Sequence, residues 1–309
     1  MTCTGGWCTV DSREILRPSC LDQFVGQPET IQRLKYLVAE AKATDERLPH
    51  ILLVSEPGMG KTALARVIAS EMGTDIEEID LSQATAQRLM RILPDVEADI
   101  VFLDELHRAK GPQQELILKW AEEGVLVMPH GGTEEIGYLT IIAATTRPEK
   151  LDPALVSRFG VQLELEPYSP EVINQILSAM AEKLNLYLAP DDANHLSKAA
   201  LGCPRTARDL IMAYKTLSYS GTPSVPDVLQ FVDKEKDGLS RRHMRYMRVL
   251  HDCGGQLGSG PLSSLTRMHP GIMVTVERDL IDQGYIDLTP QGRILTSKGR
   301  GRIGKKVRA

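Results

Sequence analysis

The chain has five cysteines, Cys3, Cys8, Cys20, Cys203 and Cys253. The count is odd, no C-x-x-C pair occurs, and no histidine stands at zinc-finger spacing from any of them, which argues against a disulfide framework or a structural metal centre. Nor is there an apolar run near the ~18 residues that a membrane span requires. The opening residues lack the basic stretch followed by an apolar stretch that marks a secretory leader. These absences point to a cytoplasmic protein with reduced thiols. No internal repeat is visible.

At 309 residues, with charged residues at 25% and hydrophobic ones at 42%, the composition is that of a globular chain of two or three domains. The net charge of −5 conceals an asymmetry. From Lys234 to Ala309 there are 15 Lys/Arg against 7 Asp/Glu, whereas Met1 to Asp233 has 21 against 34. A basic module on an acidic one suggests a polyanionic partner for the C-terminal part. The ending "SKGRGRIGKKVRA" is basic with no acid, and reads either as a solvated tail or as an arm for DNA.

The segment "SEPGMGKTAL" lacks only the first glycine of the phosphate-loop pattern G-x-x-x-x-G-K-[ST]. It follows a short apolar run, Leu48 to Val54, and precedes helical spacing of Leu64, Val67, Ile68 and Met72. That strand-to-helix context is the one in which backbone N–H groups point at phosphate. Pro57, Gly58, Met59, Gly60 and Ala63 form the cradle, Lys61 is the cation for the β- and γ-phosphates, and the Thr62 hydroxyl faces Mg²⁺. Ser55 stands in for glycine, which a small residue can do unless φ there is positive. In "DIVFLDELHRA" a buried strand ends in two carboxylates. Asp104 is placed to contact Mg²⁺, and Glu105 to orient and polarise the attacking water.

Further strands are expected at "IEEIDL" and "YLTIIAATT", alternating with helices, which implies an α/β core with a parallel sheet. After Pro167 amphipathic helices dominate, "DKEKDG" reads as a charged hinge, and three helices with a hairpin around Pro290 to Gly292 make a winged helix-turn-helix. The boundaries expected are 1–167 for the ATPase core, 168–236 for a small all-helical lid, and 237–309 for a winged-helix DNA-binding domain with a basic tail.

Taken in order, "LRPSCLDQFVGQ", "DELHR", "AATTR", "SRFG", "GCPRTARDL" and "GYIDLTPQGRILT" resemble the motifs of AAA+ ATPases, and more narrowly those of the RuvB family of Holliday-junction branch-migration motors. The resemblance runs from about Arg17 to Thr296. It implies ATP hydrolysis coupled to movement on double-stranded DNA, four-way junctions included, by a homo-oligomeric ring, a hexamer in the family. It implies that Arg17, Val25, Gly26 and Tyr168 flank the adenine, that Thr146 ahead of Thr145 is the γ-phosphate sensor, and that Arg158 is an arginine finger offered to the neighbouring subunit. Arg205 corresponds to the lid arginine that closes on the nucleotide, and Arg293 to the wing arginine that approaches DNA.

There are departures from the family pattern. The loop reads Ser55-Glu56-Pro57 where the family has Gly-Pro-Pro, and Val156 replaces the first of the family's two arginines, leaving Arg158 as the finger. The hairpin segment Gly124 to Arg147 is shorter than the family's, with a polar, acidic tip, which argues against an apolar dock for a RuvA-like partner. Two other readings use the same ATPase parts: a clamp-loader-type subunit, and an initiator-like switch whose DNA affinity is set by ATP. The first usually carries a four-cysteine zinc module and a helical collar. The "GYIDLTPQGR" ending favours the branch-migration family over both.

Overall fold

A computed structural model describes residues 12–81, 84–127, 132–137 and 139–304. The chain forms two compact units. One runs through Asn185 and takes in Cys203–Arg205, and the other comprises Leu186–Gly202 and the chain from Thr206 onward.

The first unit is built on strands β1 (Ile51–Ser55), β2 (Ile76–Asp80), β3 (Ile100–Asp104), β4 (Val125–Val127), β5 (Thr133–Glu135), β6 (Thr140–Thr145) and β7 (Val161–Leu165). Five of them make a parallel sheet in the order β2-β3-β6-β1-β7. The three central strands carry unbroken apolar runs because both faces of the sheet are covered; Ile51 to Leu53, Ile100 to Leu103 and Ile141 to Ala144 are all buried. The outer strand β2 instead exposes Glu77, Glu78 and Asp80. Helix Lys61–Met72 follows β1 after the glycine loop and stops at Gly73, which takes the left-handed conformation a glycine tolerates. Strands β4 and β5 form a separate antiparallel hairpin. Its turn falls outside the described residues, and Thr133, Glu134 and Glu135 beside the turn are exposed.

The parallel arrangement places the C-terminal ends of β1, β3 and β6 side by side, with Val54 opposite Thr145 and Leu103 opposite Ala143. In open parallel sheets, ligands are bound at that edge.

The second unit holds helices Pro190–Ala199 and Val225–Phe231, most of Pro204–Ser218, and a helix-turn-helix of Arg241–Asp252, Ser259–Thr266 and Pro270–Asp282. Strands β8 (Gln256–Leu257), β9 (Ile286–Thr289) and β10 (Gly292–Leu295) form an antiparallel sheet with β10 in the middle. The hairpin was expected and β8, only two residues long, was not. A core of Met244, Tyr246, Met247, Leu250, Leu262 and Leu280, among others, closes this winged helix.

One expectation is corrected. The basic ending is neither a free tail nor an arm over its described part: Ser297–Gly304 is a helix. Thr296 starts it by accepting the Gly299 N–H on its hydroxyl at 3.1 Å, and Ile303 is buried in the winged-helix core. The charged "DKEKDG" segment, read from the sequence as a hinge, is tied at both ends by side chains. The Asp237 carboxylate accepts from Tyr285 OH at 3.0 Å and Arg302 Nε at 2.8 Å, and Lys234 Nζ donates to the Gly238 carbonyl at 3.0 Å. Among the described residues no helix is long and apolar enough to cross a membrane.

Candidate nucleotide-binding site

The loop leaving β1 wraps the start of helix Lys61–Met72. Gly60 caps this helix, and Lys61, Thr62 and Ala63 form its first turn, so the turn's unpaired N–H groups face the loop. Gly58 has φ +88°, and a Cβ there would lie 2.7 Å from Cys203 Sγ and 3.0 Å from Arg205 Cβ. Only glycine fits both the conformation and the space. Met59 is buried under the loop and Pro57 is exposed.

Lys61 is buried, at 7% exposure. Its Nζ donates to the Ser55 carbonyl at 2.8 Å, the Ser55 hydroxyl at 3.1 Å and the Glu56 carbonyl at 3.1 Å. Burial pushes its pKa down, while Glu105, Asp104 and Glu56 pull it up and Arg205 adds to the lowering. Lysine, both carboxylates and Arg205 thus share one electrostatic site. Ser55 ends a strand and has no positive φ, so the missing glycine imposes no backbone strain.

Asp104 ends β3, and its carboxylate accepts the Glu105 N–H at 2.9 Å. Burial raises its pKa, with Glu105 and Asp80 adding negative charge that Lys61 only partly offsets. The hard oxygens of the Asp104 carboxylate and of the Thr62 hydroxyl in the first turn of helix Lys61–Met72 are of the donor class that Mg²⁺ takes. Glu105 lies in the left-handed region at φ 55°. Its carboxylate is 3.4 Å from His107 Nε2 and 3.5 Å from Arg108 Nε.

His107 was overlooked in the motif reading. Its Nδ1 is 3.2 Å from Thr145 Oγ1, and that oxygen also accepts the Arg147 N–H at 3.0 Å. Burial lowers the His107 pKa. The signal was there in the "DELH" spelling, but its partner Thr145 lies on another strand. Thr145 is fully buried and held by these contacts, whereas Thr146 follows the strand end half-buried.

On the other side of the loop, Tyr168 donates its hydroxyl to the Met59 carbonyl at 3.1 Å. Burial pushes its pKa up to about 12. A Cβ on Gly26 would strike the Tyr168 ring at 2.6 Å and Val172 at 3.0 Å, so the Gly26 backbone lies directly against the ring. Val25 is half-buried beside Gly26. Phe24, not singled out from the sequence, approaches Gly60. Arg17 pairs with Glu14 at 3.7 Å, and its carbonyl accepts from Lys183 Nζ at 2.6 Å. Arg205 is exposed and its N–H donates to the Gly58 carbonyl at 3.3 Å.

Two sequence candidates stand elsewhere. Arg158 pairs with Glu122 at 2.5 Å on the surface of the first unit. Arg293 does not project from the wing tip. It lies in β10 and forms a two-pronged ion pair with the buried Glu277, Nε–Oε1 3.0 Å and Nη2–Oε2 2.8 Å, while Tyr246 OH donates to the same carboxylate at 2.7 Å.

Sheet order, loop and paired carboxylates define a P-loop ATPase of the AAA+ kind with a winged helix attached. The model of the Holliday junction DNA helicase RuvB P-loop domain matches residues 16–165, and that of the RuvB C-terminal winged helix domain matches residues 236–303. The chain is 32% identical to the Holliday junction branch migration complex subunit RuvB of Kosmotoga olearia, covering 94% of this chain and 90% of the relative. It is 31% identical to that of Paramagnetospirillum magneticum, covering 95% and 90%. A solved structure of the Thermotoga maritima RuvB Holliday junction branch migration motor superposes with a TM-score of 0.83 at 27% identity, covering 94% of this chain and 98% of that one. The chain belongs to the RuvB family.

Proposed function

We propose that this protein is a branch-migration motor that hydrolyses ATP to move on duplex DNA. The observation that carries the reading is the gathering of Lys61, Asp104, Glu105 and Arg205 around one loop, in a chain that also carries a winged helix. Lys61 and the first turn of its helix bind the phosphates. Thr62 and Asp104 would hold Mg²⁺, which supplies charge neutralisation on those phosphates. Tyr168, Gly26, Val25 and Arg17 take the adenine side, Glu105 orients water, and Thr146 reads the terminal phosphate. Arg158 serves the site of the next copy, so the working form is a ring, with six copies the family expectation. Residues 168–236 act as the lid and 237–309 carry the DNA contact. A RuvA-like partner is disfavoured by the short hairpin, whose strand Thr133–Glu135 beside the turn is exposed and carries two carboxylates.

The test is steady-state ATP hydrolysis with and without closed circular duplex DNA, with Lys61→Ala as the blank. Stimulation by this DNA, which has no ends or primer junctions, is the expected result. ATP bound but turnover unchanged by duplex, and raised instead by primed DNA, would replace the motor with a clamp-loader-type function.

A further inference from the structure

Ser55 is the residue at which this loop departs from its pattern, and it adds an oxygen that glycine cannot supply. An ammonium has three donors, and the loop offers Lys61 three acceptors, two carbonyls and the Ser55 hydroxyl. The hydroxyl is fixed in that role, because its own O–H donates to the Glu56 carbonyl at 3.0 Å, leaving the oxygen lone pairs toward the lysine. Ser55 is 7% exposed, so water does not readily replace it. The carbonyls are backbone and persist whatever residue stands at 55. The hydroxyl is the only one of the three that a substitution removes.

We propose that the Ser55 hydroxyl sets nucleotide affinity by competing with the terminal phosphates for Lys61. This rests on the reading of the loop as the nucleotide site and adds a determinant of its strength. A phosphate oxygen reaching Lys61 has to displace a charge-assisted hydrogen bond already made in a buried place. In a glycine-led loop that donor is open. The effect is confined to ligands that carry a β-phosphate, because only those reach the lysine.

Dissociation constants of ATP, ADP and AMP, measured with Mg²⁺ by calorimetry on the full chain, decide the matter. Ser55→Ala is expected to bind ATP and ADP about tenfold more tightly, the order of one such hydrogen bond, with AMP unchanged. Ser55→Gly should move in the same direction, which separates loss of the hydroxyl from packing of the alanine methyl. It also carries the measurement if the alanine variant melts early. Equal or weaker binding of ATP by both variants would overturn the proposal, as would tightening that extends equally to AMP. Wild-type protein that binds no nucleotide, indistinguishable from Lys61→Ala, would remove the parent reading itself.

Discussion

Arg158 and Glu122 are both close to half exposed, so their ion pair is weakly held and readily exchanged for another partner. An arginine parked on its own surface in this way is available to a neighbour's phosphate. Arg158→Ala should therefore bind ATP as wild type does yet lose most turnover. Mixing it with Lys61→Ala subunits should restore a fraction, since one variant keeps an intact loop and the other an intact finger. Mixed rings that stay silent would show that Arg158 does not act between copies. The loop and the paired carboxylates were legible in the sequence because their chemistry depends on fixed local spacing. Ser55 with Lys61, and His107 with Thr145, were not. Both contacts arise when side chains fold back over a loop or across from β3 to β6, distances that a string of letters does not carry.

At the scale of elements, β10 and helix Pro270–Asp282 are locked through Arg293, Glu277 and Tyr246. Glu277 is 7% exposed, and the Tyr246 hydroxyl has its pKa raised by burial and by that carboxylate. Arg293→Ala leaves a buried charge without its partner, a loss of about 3–5 kcal/mol, to be read as a lower denaturant midpoint for the second unit. A variant as stable as wild type but weaker on DNA would return Arg293 to the phosphate-contacting role expected from the sequence. That expectation failed to anticipate the pair because the motif places Arg293 at a turn, where arginines usually face water, and Glu277 sits 16 residues earlier on another element. The helix Ser297–Gly304 was hidden for a similar reason. Its composition is that of a solvated tail, and the apolar anchor Ile303 is a single residue among basic ones.

For the molecule as a whole, the corner at Asp237 ties the segment after the Val225–Phe231 helix to the winged helix. Burial alone would raise the Asp237 pKa, but the hydrogen bond and charge of Arg302, with Tyr285 and the Leu239 N–H, lower it overall. A carboxylate depressed in the folded state contributes stability that is fully present above its unfolded value near 4. That contribution is lost as pH falls through the depressed folded value. Amide exchange around Lys234–Ser240 and Tyr285–Arg302 should accordingly lose protection on acidification below about pH 4, and Asp237→Asn should lack that acid step. Loss at the same pH in both would assign it to other groups. The alternation of strands and helices made the ATPase core readable, and three helices with a hairpin made the winged helix readable. The side-chain ties at the junction were not, because six charged or small residues in a row look like a swivel. A joint without play transmits angle as faithfully as force. One aspartate and the three groups that grip it thus fix the angle at which the chain passes from the Val225–Phe231 helix into the winged helix.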